Sequence, residues 1–259
     1  MPADIVSFIK RDYIHSMAKQ GVRLDGRGME EMREVEVTKP FVTSAEGSAR
    51  VKLGKTDVVV GVKIEPGTPF ADRPNQGVLI VNAELVPIAS PDFETGPPRP
   101  PAIELARVTD RAIREAQTFD LAPLCIDAGK KVFMVFIDIH PVDYHGNLFD
   151  SCEWGALAAL SVATVPWSKI DPDRKDERLK LQNFPVSITV AKLSDRLLVD
   201  PSLDEEEVAD ARLTVCTDQN GDVRAMQKGL AGSFTVDEVK YIVELSRSLG
   251  KKVRSKLAG

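Results

Sequence analysis

Three arginines, Arg107, Arg111 and Arg114, stand at i, i+4 and i+7 in a stretch with helical patterning. At ~100° per residue they fall within a narrow arc, with Leu105, Val108, Ala112 and Ala116 on the opposite one. Such a helix buries its aliphatic side and presents guanidinium groups outward. The planar guanidinium fork matches phosphate oxygens, so a phosphodiester backbone is a fitting ligand. The same spacing also permits ordinary surface pairs, Arg111 with Glu115 and Asp110 with Arg114, each worth a few tenths of a kcal/mol.

Two other places offer chemistry. Asp200 to Asp210 (DPSLDEEEVAD) holds six carboxylates. Clustered acids can hold magnesium or act as general acids, and they are also a common way to solvate a loop. The loop Tyr144-His145-Gly146-Asn147-Leu148 lies between a strand pattern and a helix pattern. Backbone N–H groups at a helix start attract anions, yet Leu148 offers an anion nothing and Asp150 opposes one. His145 reads as a turn residue. No Walker loop, GxGxxG or GxSxG motif is present. His15, His140 and His145, and Cys125, Cys152 and Cys216, are too scattered for a metal cluster or a disulfide framework. Neither a metal nor another cofactor is expected, and the cysteine usage suits a reducing cytoplasm.

The elements that must position these groups follow from periodicity. Ile5, Phe8, Ile9, Tyr13 and Met17 predict a first helix from about Ala3 to Gln20, followed by an ordered loop, Val22 to Gly28. Ala49, Val51 and Leu53 alternate with Arg50 and Lys52, and Val58, Val60, Val62 and Ile64 share one face after a Gly-Lys-Thr turn. That is a half-buried hairpin. A strand from Gly77 to Val86 precedes a stiff loop, Pro87 to Pro101, with six prolines. The arginine helix spans about Pro100 to Gln117. Lys131 to Val142 predicts a strand buried on both faces, and Ser151 to Val165 an Ala/Leu-rich helix that packs on a sheet.

Pro166 to Pro185 is polar and reads as a boundary between halves. Beyond it, Val186–Leu193 with Arg196–Val199 makes a second hairpin. Arg212–Thr217 with Asp222–Gln227 makes a third around Asn220-Gly221, a type I′ signal. Thr235 and Glu238 fit a capping box for a last helix to about Leu257, with Val236, Val239, Ile242, Val243, Leu249 and Val253 as its apolar stripe. The expected fold class is α+β, with two similar halves of hairpin strands and packed helices. The expected division is 1–30 for the helix and connector, 31–165 for the first domain and 186–257 for the second.

Bulk properties constrain function. Net charge is −5 over 259 residues. A free-standing, non-specific nucleic-acid binder is usually basic, so RNA binding here must be local or completed by a partner. No apolar run reaches the ~18 residues of a membrane span. The first residues interleave acids and bases and read as neither a signal nor a transit peptide.

Five segments in order resemble the RNase PH superfamily, specifically the non-catalytic ring subunit of the archaeal exosome. They are Val22 to Arg27 (VRLDGR), Glu46 to Pro66, Asn82 to Pro98, Glu104 to Glu115 and Asp143 to Ser161. The resemblance covers nearly the whole chain. It implies an RNase PH fold and a phosphorolytic 3′→5′ exoribonuclease chemistry in the catalytic members. Those members bind the attacking phosphate with a Gly-Ser/Thr-Arg turn and carry an aspartate before a late core strand. Here the turn reads Gly146-Asn147-Leu148, without the arginine. The aspartate's place is taken by Ala211, with Asp210 one residue away.

Losing even one such electrostatic contact costs about two to three orders of magnitude in rate. The resemblance therefore implies no catalytic residue in this chain, which is inert alone. It further implies an alternating hexamer with a catalytic RNase PH-like sister, RNA-binding cap proteins above it, and single-stranded RNA along Arg107 and Arg111, with Arg114 beside them. A confined channel focuses the field of a few arginines, so an acidic chain can still grip RNA. Two other readings stay open: an active phosphorolytic exoribonuclease using a carboxylate such as Asp210, and a purely architectural ring subunit.

Overall fold

The computed structural model describes residues 2–259, with side chains from residue 9 onward. Helix α1 (Pro2–Lys19) leads into strands β1 (Val35–Thr38), β2 (Gly47–Leu53), β3 (Thr56–Gly67) and β4 (Val78–Ala83). Helix α2 (Pro100–Glu115) follows, then β5 (Cys125–Asp127), β6 (Lys131–Asp143) and helix α3 (Leu148–Ser161). The short strands β7 (Thr164–Val165) and β8 (Glu177–Arg178) pair with each other. After them come β9 (Val186–Leu193), β10 (Arg196–Val199), helix α4 (Leu203–Val208), β11 (Ala211–Thr217), β12 (Val223–Gly229) and helix α5 (Val236–Ala258).

The first sheet runs β1-β2-β3-β6-β4, with β5 pairing β6 and β4 parallel to β6. The second is antiparallel, β10-β9-β11-β12. Helix α3 lies between them, packing on β2 and β3 of one and β9 of the other. A helix so enclosed is buried all round, and every residue from Leu148 to Leu160 is buried, the polar Asp150, Ser151 and Glu153 among them. Gly155 makes the close approach possible: a Cβ there would meet a Val60 methyl at 2.7 Å. One continuous core results, holding Val60 and Ile137 from the first sheet, Trp154 and Leu157 from α3, and Ile188 and Val215 from the second.

Several expectations change. Strand β6 alternates instead of burying both faces: Phe133, Val135, Ile137 and Ile139 are buried, while Met134, Phe136 and Asp138 are half-buried. Helix α3 covers only one side of the sheet, so the apolar run is fully enclosed on that side alone. In α1, Ile9 and Tyr13 are exposed, and Ile14 and Ala18 make the buried face. Ile5 and Phe8 lie outside the described side chains. Val236 is exposed at the start of α5, although the Thr235–Glu238 capping box forms. At Asn220-Gly221 only Gly221 has positive φ, +85°. The turn is not type I′, which needs two such residues, because the Asp218 carboxylate accepts from Asn220 N and Asp222 N and holds a wider loop.

Candidate RNA face and the closed anion seat

The arginine arc forms as patterned, but its three members differ. The buried side of α2 carries Ala102, Leu105, Val108, Thr109, Ala112 and Ile113. Arg107 is exposed, and among the described residues its guanidinium is the unencumbered one of the three. Arg111 donates to Gln227 Oε1 on β12 at 3.0 Å rather than pairing with Glu115. Arg114 is tied down by Asp110, at 2.6 and 3.0 Å, and by the Leu79 carbonyl at 3.1 Å. The side chains thus grade from free to fixed along the helix.

The loop before α3 is filled by the chain itself. Asn147 adopts the left-handed conformation, φ 58°, and caps α3. Its Nδ2 donates to Asp150 and to Asp200, both at 2.8 Å, and its backbone N donates to Glu206 at 2.9 Å. Three carboxylates therefore occupy the positive end of the helix, where an anion would otherwise sit. The backbone closes it sterically as well. A Cβ on Gly146 would lie 2.5–2.6 Å from backbone atoms of Pro201, Ser202 and Leu203. Leu148 is buried and apolar.

The arginines near these acids are already engaged. Arg33 donates to both oxygens of Asp200, at 2.6 and 2.9 Å, and to the carbonyls of His145 and Gly146. Arg27 reaches Asp200 at 3.0 Å. Arg23, itself buried, forms a two-pronged pair with Glu205, at 2.9 and 2.6 Å, and bonds the Val199 and Asp200 carbonyls. The acidic stretch contains α4 and divides: Asp200 and Glu205 turn inward, while Asp204 and Glu207 meet Lys10 at the surface. Its inward members clamp the Val22–Gly28 loop and β1's approach to the second half.

Charge states follow from these partners. Burial works against ionised Asp200, but Arg33 outweighs it and holds the carboxyl below the usual range. Asp150 is fully enclosed, and burial pushes it up to about 7, against the hydrogen bonds from Asn147 and Thr189. Burial also raises Glu206, and it raises Glu153, one turn along α3, to about 8.

Asp210 stands apart. Its carboxylate accepts from Arg11 at 3.1 Å and from Ser194 N at 2.7 Å, at the docking surface of α1. Ala211 presents only a buried methyl. Sequence reasoning missed the roles of Arg23, Arg27, Arg33, Asp200, Glu205 and Glu206. The one signal available was an arginine-rich loop that had to be ordered. Among the described residues, no group of three His, Cys, Asp or Glu side chains is placed to hold a metal ion. No described helix is long and apolar enough to cross a membrane.

Known proteins align along this whole framework. The chain is 49% identical to the exosome complex component Rrp42 of Methanocella arvoryzae, covering 100% of this chain and 99% of that protein. It is 48% identical to the Archaeoglobus fulgidus Rrp42, covering 99% and 98%. A solved chain of the Archaeoglobus fulgidus exosome with RNA bound to the active site superposes with a TM-score of 0.93 at 46% identity, over 97% of this chain and 99% of that one. A chain of an archaeal exosome core gives 0.91 at 43%, over 100% of both. Rice Rrp46, at 18% identity and a TM-score of 0.71 over 91% and 98%, shares the fold. The 3′ exoribonuclease family models match in order, domain 1 over residues 31–166 and domain 2 over residues 183–248, and the chain belongs to that RNase PH family.

Proposed function

We propose that the chain is a non-catalytic structural and RNA-binding subunit of an archaeal exosome ring. It alternates with a catalytic RNase PH-like sister in a hexamer, under RNA-binding cap proteins, and supports phosphate-dependent 3′→5′ degradation of single-stranded RNA in the cytoplasm. The observation that carries this reading is the closed seat at the start of α3. Phosphorolysis needs a bound phosphate, and here Asp150, Asp200 and Glu206 surround the helix start while Leu148 stands where a catalytic member has arginine.

Electrostatics deepens the deficit. An incoming phosphate would find the helix start already occupied by these carboxyl groups, and the neighbouring arginines already committed to them. What remains for RNA is the α2 face, where Arg107 is free and Arg111 is held only by a neutral amide. A few such forks in a confined channel suffice for backbone contact, despite a net charge of −5.

The test is reconstitution. The purified chain is incubated with RNA and phosphate, alone and mixed with a catalytic RNase PH-type subunit, and released nucleoside diphosphates are measured. The chain alone should release none, and the mixture should run only with phosphate. Nucleoside diphosphates from the chain alone would overturn the reading in favour of the active-enzyme alternative.

A further inference from the structure

The end of α2 carries a feature that the arginine face does not account for. The helix closes with Thr118 N donating to the Ile113 carbonyl at 3.1 Å and Gln117 N to that of Arg114 at 3.0 Å. This closure places Gln117 in the left-handed region, φ 49°, where glycine is favoured and a larger side chain carries strain. Strain retained at one residue points to a use for its side chain.

That side chain lines an open cavity of about 350 Å³, at the free edge of β4 and beside the segment joining the two halves. Its volume falls within the range of about 300–1,000 Å³ that small-molecule sites occupy. Leu79, Phe119 and Leu121 give it an apolar floor. The rim is polar, with Arg73, Gln76, Gln117, Asp120 and Gln182, and Arg114 connects it to the arginine arc of the same helix. Arg73 is exposed and, among the described residues, has only Asp72, at 3.8 Å, as a counter-charge. Asn183 Nδ2 donates to the Gln117 carbonyl at 3.4 Å, while the side-chain amides of Gln76, Gln117 and Gln182 have no hydrogen-bond partner among the described residues.

Three free amides offer donors and acceptors from one rim, above an aromatic and aliphatic floor. That is the pattern for the edge and face of a planar heterocycle, and one exposed arginine suits one phosphodiester rather than a polyphosphate. We propose that this cavity seats one nucleotide of a single-stranded RNA, with its base against the amides of Gln76, Gln117 and Gln182 and its phosphate near Arg73. The proposal rests on the RNA-binding reading above and adds where the strand goes beyond Arg111.

The test uses the full chain assembled with a catalytic RNase PH-type subunit. RNA oligonucleotides of graded length, from about 4 to about 16 nucleotides, are titrated against the wild type, Gln117→Gly plus Gln182→Ala, and Arg107→Glu plus Arg111→Glu. The glutamine variant should bind the shortest strands as the wild type does and longer ones about fivefold or more weakly, the worth of one or two hydrogen bonds. Its thermal midpoint should hold or rise, since Gln117→Gly relieves the left-handed strain. The arginine variant should weaken binding at every length. If it does so while the glutamine variant matches wild type throughout, the seat is overturned and the RNA reading stands. If neither variant loses affinity, the RNA reading fails and the seat with it. Displacement of long strands from the wild type by free nucleoside monophosphate would make this a mononucleotide site and overturn the strand assignment.

Discussion

Asn147 Nδ2 donates to Asp200 at 2.8 Å, joining residues 53 positions apart and fixing the start of α3 to the strand end that precedes α4. Asp200 has positive φ, 50°, immediately before Pro201. The conformation is strained, and it is held by Arg33, Arg27 and Asn147 converging on one carboxylate.

Asp200→Asn should therefore be costly. It leaves Arg33 and Arg27, both largely enclosed, facing a neutral amide, and breaking a buried pair in this way costs about 3–5 kcal/mol. Because Asp200 is held below its ordinary value of 3.8, its contribution is full above that pH and is lost as pH falls further. Urea denaturation at neutral pH checks the first point; an unchanged midpoint would show that the carboxylate does not clamp the halves.

Restoring the family's chemistry at two positions should not restore activity. Leu148→Arg with Ala211→Asp supplies the arginine and the aspartate. Asp150, Asp200 and Glu206 still crowd the seat, and the backbone of 201–203 still packs on Gly146. Phosphate-dependent release of nucleoside diphosphates should stay at background. Clear activity in the double variant would mean that the seat opens readily.

Alkaline conditions should weaken the packing of α3 on the second sheet. Asp150 and Glu153 are raised by burial to about 7 and about 8. The folded state then binds more protons than the unfolded one between the ordinary carboxylate range and those values. Stability from these groups is full below pH ~4 and falls as pH rises to about 8. Glu153 Oε1 has no hydrogen-bond partner among the described residues, so a negative charge there would meet no donor. Asp150→Asn plus Glu153→Gln should flatten the decline; denaturation midpoints that fall equally in wild type and variant between mildly acidic and alkaline buffer would contradict this.

The graded arginine arc should show in salt dependence. For single-stranded RNA, removing one phosphate-binding cation reduces the slope of log affinity against log salt by about 0.7. Arg107→Ala and Arg111→Ala should each approach that change. Arg114→Ala should change it less and lower stability instead, because Asp110 and the Leu79 carbonyl hold its guanidinium. Equal slopes for all three variants and the wild type would return the arc to ordinary surface pairing.

Local order was legible in the chain. The Ala49–Ile64 alternation, the aliphatic side of α2 and the Thr235–Glu238 box each depend on neighbours within a few positions. The absence of arginine at Leu148 was equally plain, because it is a matter of residue identity. Exposure at Ile9, Tyr13 and Val236 was not, since a periodic apolar residue is buried only where another element covers it.

What the sequence determined by itself was most of the long elements and the resemblance that puts Leu148 at the place of the phosphate arginine; β1, β5, β7, β8 and α4 left no such signal. Only the tertiary structure decided that Asp200 and Glu205 of the acidic stretch turn inward while Asp204, Glu207 and Asp210 face α1 at the surface. The partners of the inward pair, Arg23, Arg27 and Arg33, lie more than 160 positions away, and no local period records such a pairing. The same holds for Asp150: a carboxylate near a helix start looks like an ordinary first-turn acid until two sheets close over it. Burial then raises its carboxyl to about 7, and the closure of the loop before α3 is a product of the same packing.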